Sequence, residues 1–263
     1  MRVAAAVPEI EEYNIKANSE TVLGFIKEAS QLNIDLLLFP EAVLTGLVIS
    51  DNYNTDKEYA ITLDSEYITI ISDYTRISKI WVAFGFIEVD NGVLYDSAIL
   101  LNNNGEVVLH QRRLSTGWCN TNANPNEYGY GNNYNTVVTP WGKVGFMLCG
   151  DMFNVPHYAK NENLDILLFP FARSFSDWVT SPPQDEWDYT EWPEYAKQIK
   201  VIGAAVTIGA NYIAPKEGSK FGGGFGGGFI TDYNGKLLAS QLLNKTGLLI
   251  YNMKERVSHE PKK

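Results

Sequence analysis

The chain has 263 residues, 45% of them apolar and 20% charged, a composition that fits a soluble globular protein with a sizeable core. Its formal net charge of −10 argues against nucleic acid and anionic membrane as partners, because both repel an acidic chain. Two cysteines, Cys119 and Cys149, are too few for a disulfide scaffold, no apolar run is long enough to span a bilayer, and the opening MRVAAAVPEI is a poor signal peptide, so a reducing cytoplasmic setting is expected.

Arg2 to Val7 is a short apolar run and a plausible first strand. Asn18 to Leu32 places Val22, Phe25, Ile26 and Ala29 at helical spacing, with Asn18 or Ser19 as its cap. Asp35 to Phe39 is apolar throughout after its opening acid, as expected of a strand covered on both faces. Ser65 to Ser78 reads as an amphipathic helix and Trp81 to Glu88 as another buried strand. Ser97–Leu101 and Glu106–His110 flank the turn Asn102–Gly105 as a hairpin. Val144–Leu148 and Asp165–Phe169 are further strands, a helix begins at Trp192, and Ala204–Ala210 is a strand. Phe229–Asp232 and Leu237–Ser240 form a last hairpin around Asn234-Gly235. The alternation of strands and helices predicts one α/β domain over residues 1–256, with a loose tail at 257–263.

Chemistry concentrates where strands end. Glu41 follows the run Leu36-Leu37-Leu38-Phe39-Pro40, at the carboxyl edge where α/β folds place ligands; a helix-capping acid is the plainer reading. Cys149 ends Val144-Gly145-Phe146-Met147-Leu148, and Gly150 behind it lets the backbone turn sharply. A thiol beside outward backbone N–H groups is the layout of acyl transfer, against the alternative of a buried apolar cysteine. Arg112 and Arg113 follow the 106–110 strand and can stabilise anions, but neither can serve as a general base. Glu127 sits in a turn-rich loop before the cysteine strand. The three histidines lack ligand spacing, so no metal is expected, and Gly222–Gly228 reads as a loop rather than a dinucleotide fingerprint, so no cofactor is expected. The stretch from Phe171 to Trp192 follows a strand exit on the same edge. Its Phe171, Trp178, Trp187 and Trp192, set among acids, are expected to line the pocket and to suit a cationic or amine-bearing substrate, while Arg173 can instead hold a carboxylate.

The order acid, cation, cysteine resembles the nitrilase superfamily of carbon–nitrogen hydrolases over nearly the whole chain. The resemblance rests on Phe39-Pro40-Glu41 with Thr45-Gly46, on Tyr95-Asp96-Ser97-Ala98, on Gly105 to Leu114, on Gly142 to Asp151, and on Gly209-Ala210-Asn211. It implies a four-layer αββα sandwich, usually paired with a second subunit. It implies that Cys149 attacks the carbon of a small amide, carbamoyl compound or nitrile and that Glu41 is the general base. It also implies that Glu127 orients the site and that the Gly150 N–H helps hold the oxyanion. Two positions depart from the family pattern: its lysine falls on Arg113, with Arg112 as the alternative, and Asp96 replaces its usual asparagine. A catalytically silent binding protein and an acyltransferase are the other functions compatible with the resemblance.

Overall fold

The computed structural model describes residues 1–120, 122–174, 184–215 and 223–253. The first half holds β1 (Arg2–Val7), α1 (Ile15–Gln31), β2 (Leu36–Leu38), α2 (Tyr53–Lys57), α3 (Glu66–Ser78), β3 (Trp81–Asp90), β4 (Val93–Leu101) and β5 (Val107–Arg112). After β6 (Thr136–Thr139) and β7 (Gly142–Phe146) come α4 (Asp151–Asn154), α5 (Pro156–Lys160) and β8 (Ile166–Pro170). Then follow α6 (Gln184–Glu186), a π-helical turn Trp187–Glu191, α7 (Trp192–Ile202), β9 (Val206–Ala210) and β10 (Ile213–Ala214). The chain closes with β11 (Gly224–Asp232), β12 (Leu237–Leu243) and β13 (Gly247–Asn252).

These strands form two sheets, ordered β13-β1-β2-β3-β4-β5 and β10-β11-β9-β8-β7-β6, with β12 paired to β11. Side-chain alternation along each strand builds the layers. Leu36 and Leu38 point between the sheets while Leu37 points to α1 and α3. On the other sheet, Val144, Phe146 and Leu148 meet them in the middle, and Met147 joins Ala159, Tyr195 and Ile199 beneath α5 and α7. Three apolar cores therefore separate four layers, helix, sheet, sheet and helix, which is the expected αββα sandwich. Each fully buried leucine or phenylalanine contributes roughly 1.5–3 kcal/mol, so continuous apolar strands are what a doubly covered sheet requires.

Several local expectations change. Helix α1 begins a turn early, capped by Asn14, whose side chain accepts from the Ala17 N–H. Asn18 is instead buried within the helix, and its amide donates to Glu11 O at 2.7 Å and Leu44 O at 2.9 Å. It thereby ties α1 to the segment that follows Glu41. The glycine-rich tract is no loop from Gly224 onward; it is strand β11, paired to β9 with Phe229 opposite Gly209. The Phe229 ring covers the position a Gly209 side chain would need, and positive φ at Gly226 and Gly227 (+72° and +92°) lets the strand kink. The 257–263 tail lies outside the described residues. No helix among the described residues is long and apolar enough to cross a membrane.

Candidate active site

The acid is placed first by backbone bonding. Beyond β2 the chain stays pinned to β3: Phe39 N–H donates to Ala83 O at 2.8 Å, Gly85 N–H to Pro40 O at 3.1 Å, and Val43 N–H to Gly85 O at 3.0 Å. Gly85 permits this approach, because a Cβ there would lie 2.7 Å from Ala42 N and 2.8 Å from Glu41 Cα. Glu41 is fully buried as a result.

The cation arrives by strand parity. On β4, Ala98 and Leu100 face the inter-sheet core, so Asp96 faces the same way at its edge. On β5, Leu109 faces that core, and Arg113, four residues on, follows it. Arg113 N–H donates to Asp96 O at 2.8 Å, which fixes where its side chain starts. Its Nη1 donates to Glu41 Oε1 at 3.1 Å and lies 3.5 Å from Asp96 Oδ2. Nε donates to Ser115 Oγ and Nη2 to Thr116 O, both at 3.2 Å. Arg112 has the opposite parity. It forks onto Glu88 at 2.6 and 3.0 Å, reaches Asp90 at 2.7 Å, and stacks on Tyr95 with its guanidinium carbon 3.8 Å from the ring centroid. Arg113, and not Arg112, is the cation beside Glu41.

The sulfur sits on a strained elbow. Cys149 has φ +41°, a left-handed backbone that costs a non-glycine residue on the order of 1–3 kcal/mol. Its N–H donates to Pro170 O at 3.0 Å, and its Sγ lies 3.8 Å from Ala172 O. Asp151 holds the elbow to the arginine loop: its buried carboxylate accepts from Leu114 N–H at 3.0 Å, Ser115 N–H at 2.7 Å and Leu148 N–H at 3.3 Å. Gly150 has no side chain because one would collide with the Arg113 guanidinium. Asn211 supports the facing segment, donating to Arg173 O at 3.1 Å and Gly226 O at 2.9 Å.

Electrostatics couple the three groups. Burial, and then the facing Cys149 thiol, push Glu41 up to about 8, with Arg113 and Asp96 pulling the other way. An acid that titrates near neutrality is matched to taking and returning a proton. Burial also raises Asp96, and the neighbouring Glu41 raises it further. On Arg113, burial opposes the charge, but the opposite charges that can develop on the facing Cys149 sulfur and on Glu41 outweigh it and keep the guanidinium charged. The arrangement can deprotonate a thiol, stabilise a nearby oxyanion and hold a proton between steps.

A cavity of about 300 Å³ adjoins this group, lined by Ala172, Gly117, Trp118, Tyr212, Glu12 and Asp51 among others. Gly117 lies beside Arg113, whose Nη2 is 3.6 Å from the glycine's Cβ position. A roomier cleft of about 650 Å³ lies over Arg112, His110 and Glu88 and does not include the trio.

Glu41, Arg113, Cys149 and Gly150 thus come together, while other expected residues do not. Glu127 is half-buried in a turn; its carbonyl accepts from Leu94 N–H at 2.8 Å, and no hydrogen bond among the described residues joins its side chain to the trio. Phe171 and Trp187 stack in the outer core, with centroids 6.3 Å apart, rather than lining the cavity beside the trio. Trp192 packs edge-on against Phe229. Arg173 is paired to Glu191 at 2.6 Å and edges a separate 340 Å³ hollow. Trp178 lies outside the described residues. Asp151, Ser115 and Thr116 were not expected to serve the site: Ser115 and Thr116 hold the Arg113 side chain from the two to three residues beyond it, while Asp151 reaches Leu114 and Ser115 from a distant loop, and only the inward parity of Asp96 had a sequence signal.

A family model described as carbon-nitrogen hydrolase matches residues 2–259. The chain is 28% identical over 166 residues to a protein named cyanide hydratase from Leptosphaeria maculans, covering 58% of this chain and 46% of that protein. It is 25% identical over 170 residues to an aliphatic nitrilase from Sinorhizobium fredii, covering 57% and 51%. It therefore spans about half the length of the curated relatives it matches. Among solved structures, an amidase from Nesterenkonia sp. shares the fold with TM-score 0.76 at 17% identity, covering 96% of this chain and 90% of that one. A carbon-nitrogen hydrolase from Helicobacter pylori G27 matches with TM-score 0.78 at 16% identity, covering 95% and 87%. At such identity these two likenesses are of fold alone.

Proposed function

The chain belongs to the carbon-nitrogen hydrolase family, and from that premise we propose that it hydrolyses a small amide or nitrile through a covalent intermediate on Cys149. The observation that carries this reading is the convergence of three strand exits on one buried group, with Arg113 Nη1 at 3.1 Å from Glu41 Oε1 and the Cys149 thiol facing the same acid. Cys149 Sγ attacks the carbonyl carbon as Glu41 takes the thiol proton, and a C–S bond forms. The oxygen gains negative charge near Arg113 and the Gly150 backbone. The C–N bond then breaks, the amine leaves with the proton from Glu41, and a thioester remains. Glu41 next takes a proton from water, the C–S bond is exchanged for C–O, and the thiol is regenerated. With a nitrile the first adduct is a thioimidate, and ammonia leaves after water adds. Arg113 keeps its proton throughout, so its part is electrostatic.

The cavity next to the trio supports a preference for substrates with a positive or hydrogen-bond-donating end. Glu12 and Asp51 line it, Trp118 and Tyr212 supply aromatic walls, and no lysine or arginine lines it among the described residues. Pairing with a second copy is the favoured assembly, since Phe153, Tyr158 and Val201 expose apolar surface on α4, α5 and α7. A screen for ammonia release over small amides and nitriles tests the reading, with Cys149→Ala as the control. Release that depends on Cys149 is expected; release that persists in Cys149→Ala, or no release from any substrate, sinks the reading. Added hydroxylamine separates hydrolysis from acyl transfer, because a transferase diverts product to the hydroxamate.

A further inference from the structure

Two carboxyl groups and one guanidinium meet in the buried interior of the site. Glu41 is 0% exposed and Asp96 is 1% exposed. Both lie on the same nitrogen, Arg113 Nη1, at 3.1 and 3.5 Å. Among the described residues, Glu41 Oε2 and Asp96 Oδ1 are both buried without a hydrogen-bond partner. Two ionised carboxylates in this position repel each other and leave two lone oxygens without a donor, which a buried site does not tolerate. One proton between the carboxyls removes the excess charge and lets the two adjacent side chains share a hydrogen bond.

We propose that Asp96 is a positioning residue that keeps a proton and donates it to Glu41, so that the two acids work as one proton-sharing pair beneath Arg113. The shorter Arg113 contact belongs to Glu41, so when the pair holds a single proton the anion resides on Glu41 and the proton on Asp96. The other titratable or charged groups that act on the pair do not supply this proton's counterpart. Asp151 and Cys119 act on Asp96, and Cys149, Tyr195 and Tyr212 act on Glu41; of the groups named, Arg113 alone is a cation. During turnover the thiol proton moves to Glu41 and returns, while the Asp96 proton stays on Asp96, holding Glu41 in one orientation toward Cys149. The role in turnover rests on the hydrolase reading above; the protonation of Asp96 does not.

Carbon-13 NMR of aspartate-labelled protein tests the protonation without substrate. The Cγ resonance removed by Asp96→Asn, or by Asp96→Ser should the first variant not fold, is expected at the protonated position at neutral pH. It is expected not to titrate in the ordinary carboxylate range near about 4. A resonance at the ionised position, or one titrating in that range, overturns the proposal. The pH dependence of kcat/KM tests the positioning. Asn mimics a protonated aspartate, so Asp96→Asn is expected to leave the acid limb within about half a unit, whereas Asp96→Ala, lacking the donor, moves it upward by about one unit. An acid limb that moves downward by about one unit or more in Asp96→Asn means a negative charge was removed, and it also overturns the proposal. Failure of the hydrolase reading looks different, since wild-type protein that releases no ammonia still gives the NMR result.

Discussion

Arg112 and Arg113 are neighbours in the chain and belong to different chemistries. Arg112 faces away from the inter-sheet core. There it clamps Glu88 and Asp90 and stacks on Tyr95, in a cluster that Ser97 and His110 complete. Against the upward push of burial, the bonds from His110, Arg112 and Ser97 pull Glu88 down to about 2. Arg113 faces the opposite side, where the acid beside it is held near neutrality by burial and a facing thiol. The same residue type therefore stabilises a permanently ionised carboxylate on one face and a titrating one on the other. One step of strand parity, with the count of donors around each acid, decides which is which.

Four substitutions press on that contrast. Arg113→Ala is expected to act most strongly, since removing one oxyanion-stabilising donor costs about 10²–10³ in kcat. It also strands two buried acids, costing about 3–5 kcal/mol of stability by urea unfolding. Full activity in Arg113→Ala removes the catalytic half of the contrast. Gly85→Ala drives a methyl against Ala42 N and Glu41 Cα and so displaces Glu41, the base of the proposed reaction. A shift of that kind lowers kcat by roughly 10²-fold, with KM less affected, in steady-state kinetics. Glu88 supplies the third test. Its folded value of about 2 lies below its ordinary 4.5, so its stabilisation is complete above about 4.5 and is lost as pH falls toward 2. It amounts to about 3 kcal/mol, and the acid-unfolding curve of Glu88→Gln is expected to be flatter over that window by that amount. Arg112→Ala should give the smallest effect, a loss of about 1–3 kcal/mol in stability with unchanged kcat/KM at temperatures where it stays folded. A loss of turnover comparable to that of Arg113→Ala breaks the distinction.

Much of the frame was legible in the sequence. Apolar runs such as Leu36–Leu38 and Ile166–Phe169 read as doubly covered strands because nothing else buries them so continuously. Glu41, Arg113 and Cys149 stood out because each follows a strand. What failed depended on distant partners. Asn18 looks like a helix cap until Leu44 O is placed beside it. The tract Gly224–Gly228 looks like a loop because small residues carry no strand pattern; only neighbours such as Tyr212 explain the absence of side chains. Trp187 reads as a pocket wall from its place after a strand exit on the same edge, yet Phe171 and Tyr195 take its ring into the outer core. Asp151 could not be given its role from the sequence, for two of its three donors, Leu114 and Ser115, come from a loop far away in the chain.

The central claim is that Arg113 and Glu41 activate the sulfur at position 149, and alkylation tests it directly. Peptide mass spectrometry after timed exposure to iodoacetamide follows both thiols in the same sample. Cys119 is buried, and burial pushes its thiol up, so it serves as the internal reference. The expected result is modification of Cys149 at least about tenfold faster than Cys119, slowed by Arg113→Ala and unaltered by Arg112→Ala. Equal rates at the two cysteines, or equal effects of the two arginine substitutions, contradict the account.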